Sequence, residues 1–144
     1  MYGEVVGINA WIASQTGGSV GLGFAIPINS AKKVIDDLIT KGAVEYGWLG
    51  VNGGDPSKEL KESMGIKTSF GAFVYDVFLG SPAAESGIRP GDLIVRIGGQ
   101  EVTNANVLVQ MVGNLVPGKA TEFQIIRDGE SINIRVKTAV RKAE

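Results

Sequence analysis

The chain has 144 residues, which is enough for one ordinary hydrophobic core and a small extension. Its 14 Lys and Arg residues against 15 Asp and Glu give a net charge of −1, so no overall field attracts nucleic acid or an anionic membrane. It contains no cysteine and no histidine, which excludes disulfides, thiol chemistry and any hydrolytic centre that depends on an imidazole base.

A β-hairpin is the first element that the sequence predicts. Residues 3–12 and 19–28 are rich in β-branched and aromatic side chains, and a turn-forming stretch at residues 14–18 separates them. We expect these two strands to pair.

An amphipathic helix is predicted next, over residues 29–43. Asn29 and Ser30 offer N-cap side chains, and apolar residues follow with helical spacing until Gly42 ends the pattern. The apolar stripe of this helix needs a partner that covers it.

Two short helices are predicted in the part of the chain that follows Val44. Asp55 and the proline after it can cap and open a helix that Gly65 ends. Ser81 begins a second one, which Gly87 ends.

Strands surround these helices, and a longer helix is predicted over residues 104–115. Asp128 and Gly129 fit the turn of a hairpin. The whole is α+β, a small β-sandwich or partly open barrel with two short helices and one longer helix. The predicted strands are residues 70–78, 93–97, 101–102, 123–127 and 131–136.

Four glycine-containing segments of this region have a recognisable spacing. They are Tyr-Gly-Trp-Leu-Gly-Val at 46–51, Gly-Ala-Phe-Val at 71–74, Gly-Ser-Pro-Ala-Ala at 80–84 and Pro-Gly-Asp-Leu-Ile at 90–94. Together they resemble the peptide-binding PDZ module of bacterial HtrA/Deg serine proteases. Upstream, residues 3–9 and 21–27 look like the last two strands of the trypsin-like protease domain of that family.

The resemblance implies a division of the chain into three parts: residues 1–28 as a β-hairpin remnant of the protease barrel, 29–43 as a linker helix, and 44–141 as a PDZ domain. It also implies a periplasmic or otherwise extracytoplasmic parent, a homo-oligomer built on trimers, that acts in protein quality control. The nucleophile segment of the family is not in this sequence. The chain is therefore expected to bind without cutting, as a monomer or as a weak oligomer through its exposed protease strands.

A peptide carboxylate needs several hydrogen-bond donors, and a loop of consecutive backbone amides supplies them without a buried cation. The predicted carboxylate-binding loop is Trp48, Leu49, Gly50 and Val51, in which Leu49, Gly50 and Val51 provide the amides. The strand that follows is expected to accept the peptide along its edge. The predicted groove residues are Asn52, Gly53, Asn104, Val107, Leu108 and Met111.

The expected partners are C-termini that end in an apolar residue, and no metal, cofactor or nucleic acid is predicted. Two alternatives stay open. Val107 and Met111 have spacing that also suits a purely structural core. The domain could also be a structural or assembly module whose groove is filled by a neighbouring chain.

Overall fold

The computed structural model describes residues 3–12 and 23–141. The chain forms two compact units, Met1–Val44 and Glu45–Glu144, and each is described here by itself.

The first unit contains a hairpin and a helix. Strands β1 (Gly7–Ile12) and β2 (Gly23–Pro27) pair antiparallel, which confirms the predicted hairpin with shorter strands. The predicted turn at 14–18 lies outside the described residues. Helix α1 (Ile28–Lys41) follows.

The prediction was wrong for the start of α1 and correct for its end. Pro27 flanks its start and no side chain caps it, so the predicted capping by Asn29 or Ser30 is wrong; both residues lie within the first turn. Gly42 ends the helix as predicted. It adopts φ 74°, and its N–H donates to the carbonyl oxygen of Leu38 at 3.1 Å.

The second unit is built on antiparallel strands. They are β3 (Gly47–Trp48), β4 (Val51–Gly54), β5 (Ala72–Val77), β6 (Leu93–Ile97), β7 (Gln100–Glu101), β8 (Ala120–Arg127), β9 (Glu130–Lys137) and β10 (Ala139–Val140). The largest sheet has the order β4-β5-β6-β8-β9, with β7 paired to β6, and a separate short ladder joins β3 to β10. Beside that ladder, the N–H of Arg141 donates to the carbonyl oxygen of Tyr46 at 2.8 Å.

Three helices complete this unit: α2 (Lys58–Ser63), α3 (Pro82–Ser86) and α4 (Ala105–Asn114). The prediction for the start of α2 is wrong, because Ser57 and not Asp55 is its N-cap and accepts a hydrogen bond from the N–H of Leu60 at 3.2 Å. Ser81 caps α3 and Gly87 ends it, as predicted.

The main core lies between the large sheet and α4. It contains the fully buried Val74, Ile94, Phe123 and Ile125, and α4 adds Leu108. Because side chains alternate along a strand, residues between these positions face the other side of the sheet. There a smaller cluster forms around Phe73, Leu93 and Val95.

A buried ion pair ties the turn before β6 to the end of β8. Asp92, 1% exposed, accepts from Arg127 Nε at 2.7 Å and from its Nη2 at 2.8 Å, and it also accepts from the N–H of Arg89 at 2.9 Å. The hydrogen bond from Arg127 to Asp92 raises the pKa of the guanidinium, which keeps it charged.

The predicted fold class is confirmed. The described residues form an α+β unit with open sheets and no closed barrel, with two short helices and one longer helix, after a hairpin and a helix. None of the described helices is long and apolar enough to cross a membrane.

Candidate functional site

Leu49 and Gly50 form the connection between β3 and β4. Gly50 has φ 80°, and a Cβ atom there would overlap the Cβ of Ser81 and lie 2.8 Å from its Oγ. Only glycine fits this position without a shift of the backbone. The carbonyl oxygens fix the loop, since that of Leu49 accepts from the N–H of Ala83 at 2.9 Å and that of Gly50 from the N–H of Phe78 at 3.0 Å.

The N–H groups of the same loop are not used in this way. Within the part of the chain that the structure describes, the N–H groups of Leu49 and Gly50 donate to no acceptor. Val51 lies opposite Val77, one pair beyond the hydrogen bond from Phe78 to Gly50. Hydrogen-bonded and non-hydrogen-bonded pairs alternate in an antiparallel ladder, so the N–H of Val51 points away from β5. Three successive amides are thus available for an anion.

The predicted groove runs between two walls, strand β4 and helix α4, which contact each other. In the described sheet β4 is the terminal strand and pairs only with β5. Helix α4 contacts β4 and β5. A Cβ atom on Gly53 would lie 3.7 Å from Leu108 Cδ2, so α4 lies close to the strand.

Most of the predicted loop and pocket residues belong to the main core or pack against it. Leu49 and Leu108, each 3% exposed, belong to the main core, and Val51 and Met111 pack against it with part of their surface accessible. Val107 is also partly buried. Leu49, Val51, Leu108 and Met111 thus belong to one apolar cluster.

Four other predicted residues lie on β3, on β4 or at the start of α4. Asn52 and Gly53 are exposed on β4, and the ring of Trp48 is partly buried, with its centroid 6.3 Å from that of Phe78. Asn104 is the N-cap of α4.

The side chain of Asn104 is occupied by its capping role. Its Oδ1 accepts from the N–H of Val107 at 2.9 Å, and its Nδ2 lies 3.5 Å from Thr103 Oγ1. It therefore orders the first turn of the α4 wall.

Asp55 makes a contact with α4 that sequence reasoning missed. Its Oδ1 accepts from the N–H of Ala105, the first residue of α4, at 2.7 Å. The pattern Asp-Pro before a helical stretch pointed to a local cap for α2. No local signal indicates a partner fifty residues away.

Comparison with known families decides the assignment. The family model described as PDZ domain matches residues 47–138, which takes in the loop, β4 and α4. The chain belongs to the PDZ domain family.

The similarity to curated proteins extends over nearly the whole chain. A probable periplasmic serine endoprotease DegP-like from Bartonella henselae is 41% identical over 135 residues, which are 94% of this chain and 27% of that protein. One from Halomonas elongata is 40% identical over 93% of this chain and 28% of that protein. This PDZ-containing chain thus spans between a quarter and a third of the length of these relatives. Their names agree with the predicted extracytoplasmic location of the parent.

Solved structures give the same result. The HtrA-type protease AlgW with decapeptide is 36% identical with a TM-score of 0.78, covering 99% of this chain and 44% of that one. The serine endoprotease from Yersinia pestis is 28% identical with a TM-score of 0.65, covering 97% of this chain and 44% of that one. The resemblance to HtrA/Deg proteases that the sequence indicated is confirmed.

The groove of this PDZ domain offers backbone amides and apolar side chains. Across residues 3–12 and 23–141, no group of three or more Asp, Glu, His or Cys side chains could hold a metal ion.

Proposed function

We propose that this PDZ domain binds the free C-terminus of proteins that end in an apolar residue. The amides of Leu49, Gly50 and Val51 hold the terminal carboxylate, and the peptide adds to β4 as an antiparallel strand. The last side chain enters the pocket beside Val107 and Met111. The observation that carries this proposal is the pair of N–H groups without acceptors at the end of an open strand edge.

The backbone of β4 sets the register of such a peptide. Outward-pointing backbone groups alternate with inward-pointing ones along β4, so Val51 and Gly53 present theirs to the groove. With the carboxylate at the loop, the residue two positions before the terminus pairs with Gly53. The residue four positions before it comes level with Asp55.

The parent protein is proposed to be a periplasmic serine endopeptidase in which this domain recruits substrates or regulates cleavage. The names of the relatives and the AlgW structures with a decapeptide and with a tripeptide support this. A trimer-based assembly of the parent, and the origin of residues 1–28 in its protease domain, stay predictions.

The decisive experiment compares peptides with a free and an amidated C-terminus. We expect amidation to weaken binding by ~1.5–3 kcal/mol, because it removes the charge that strengthens the hydrogen bonds to the loop. Fluorescence anisotropy with labelled peptides ending in Val or Phe measures this. Equal affinity of the two forms would exclude carboxylate capture and favour the structural-module alternative.

The pocket is tested by placing a charge on either face of α4. Met111→Glu is expected to weaken every apolar-ended peptide at least about tenfold, because a carboxylate then lines the apolar pocket. Val109→Glu puts the same charge on the same helix at a residue that is 65% exposed, and serves as the control. If both variants bind as tightly as the unchanged chain, Met111 is core only and the pocket lies elsewhere.

The chain itself is proposed to lack proteolytic activity, because its sequence has no histidine to act as general base for a serine nucleophile. Casein incubated with a high concentration of the purified chain should stay intact. Cleavage that disappears when one of the serines of the chain is replaced would overturn this.

A further inference from the structure

Helix α4 lies close to β3 at its last turn and is bonded to the residue after β4 at its first residue. At the loop end, β3 approaches the last turn of α4 backbone to backbone: a Cβ atom on Gly47 would overlap the carbonyl oxygen of Val112 and lie 3.2 Å from that of Leu115. At the opposite end, β4 stops at Gly54, and the next side chain, Asp55, reaches across to α4.

Asp55 accepts two hydrogen bonds, one through its side chain and one through its backbone. Its Oδ1 accepts the N–H of Ala105 at 2.7 Å, and its backbone carbonyl accepts the hydroxyl of Tyr75 at 3.3 Å. The Tyr75 ring also covers Gly54, where a Cβ atom would lie 2.9 Å from its Cε2. The end of β4 is thus held by β5 on one side and by the first residue of α4 on the other.

The hydrogen bond from Ala105 suits a carboxylate. The first N–H groups of a helix have no partner within the helix and carry a partial positive charge. Asn104 satisfies the N–H of Val107, and Asp55 satisfies that of Ala105. One cap therefore comes from the helix itself and the other from the opposite wall of the groove.

We propose that Asp55 is a positioning residue for peptide binding, which sets the separation of β4 and α4 at the end of the groove away from the carboxylate loop. This rests on the proposed function. Without the hydrogen bond from Ala105 to Asp55, the first turn of α4 and the end of β4 move independently. The groove then has its binding width in only a fraction of molecules. The apparent affinity falls by that fraction.

Three variants test this inference. Asp55→Ala removes the carboxylate that accepts the hydrogen bond from Ala105. Asp55→Asn removes the charge but keeps an oxygen that can accept from Ala105. Ser57→Ala removes a comparable capping hydrogen bond, to Leu60 of α2, which lies outside the groove walls.

We expect Asp55→Ala to weaken an apolar-ended peptide by roughly 3- to 10-fold, the factor that corresponds to one lost hydrogen bond. Asp55→Asn and Ser57→Ala should stay within about twofold of the unchanged chain. Anisotropy titration measures affinity. Amide hydrogen exchange should show faster exchange of Ala105 in Asp55→Ala alone, while thermal unfolding checks that all variants are folded.

The outcomes separate the two proposals. If the unchanged chain binds the peptide and Asp55→Ala binds equally well, the positioning role is wrong and the proposed function stands. If Asp55→Asn binds the peptide as weakly as Asp55→Ala, the loss of affinity comes from the charge of Asp55 and not from its hydrogen bond to α4. The inference is then wrong as well. An unchanged chain that binds no peptide overturns both proposals.

Discussion

The two compact units of this chain differ in how far their apolar residues are buried. In the unit Glu45–Glu144, Ile94, Phe123 and Ile125 have no exposed surface. In the unit Met1–Val44, every residue of β2 is exposed, and Ile39 of α1 is 78% exposed. Both units have regular strands and a helix of the right periodicity. The comparison shows that a pattern can specify an element without specifying a core, because a two-stranded hairpin has too few layers to bury its residues.

The largest expected effect is a difference in stability loss when an isoleucine is changed to alanine in each of the two units. Ile125→Ala should lower the free energy of unfolding of the second unit by about 2–5 kcal/mol, because it leaves a cavity in a filled core. Ile39→Ala should change stability by no more than about 0.5 kcal/mol, since the side chain is already in water. Urea unfolding followed by tryptophan fluorescence measures both. Equal losses would show that α1 is as well packed as the sheet.

Ion pairs provide a second, smaller contrast. Arg127→Ala leaves the carboxylate of Asp92 buried without its charged partner, and should cost about 2–4 kcal/mol, somewhat less than for a fully buried pair because the Arg127 side chain is 22% exposed. The Lys41 side chain, 3.1 Å from Asp37, is 43% exposed, so Lys41→Ala should cost no more than about 0.5 kcal/mol.

The pH dependence of the Arg127→Ala effect follows from the raised pKa of this guanidinium. A raised pKa gives stability that is fully present below the ordinary value and is lost only as the pH rises through the folded-state value. The loss in urea unfolding should therefore be the same at about pH 6 and about pH 8. A loss that shrinks between these two values would show that the pair does not stabilise the unit as described.

The smallest expected effect is that of removing the hairpin. A chain that begins at Asn29 should unfold cooperatively, with the midpoint of the second unit changed by no more than about 2 °C, because the core of this unit is made by its own strands and α4. Differential scanning calorimetry gives the result. Loss of the transition would show that residues 1–28 are part of the folding unit and that the predicted boundary is misplaced.

Several local signals in the sequence were reliable, although the predicted side-chain cap of α1 was wrong. The cap of α3 by Ser81, the ends of helices at Gly42 and Gly87, and the turn at Asp128 and Gly129 all need only neighbouring residues. Asp128 has φ 51° and Gly129 has φ 81°, as the predicted hairpin turn requires.

Nonlocal contacts account for what the sequence did not predict. Asp55 followed by proline is a good local cap, yet its carboxylate binds α4 and leaves Ser57 to cap α2. Strands β3 and β10 have two residues each, too few for any alternation to be recognised. The loop at residues 48–51 was predicted from the family resemblance, which rests on glycine-containing segments that can be recognised directly in the sequence. The hydrogen bond between Asp55 and Ala105 was not predicted, because it joins two segments that are distant in the sequence.

The pairing of β3 with β10 brings the entry and the exit of the second unit together. The chain arrives at Tyr46 and departs at Arg141, whose backbone groups are joined at 2.8 Å. The two ends of this unit therefore lie next to each other. It could be inserted into a surface loop of another protein without spreading the ends of that loop, or have its ends joined and new ones opened elsewhere. A force applied to the two ends would separate the short ladder one pair at a time before it reached the core.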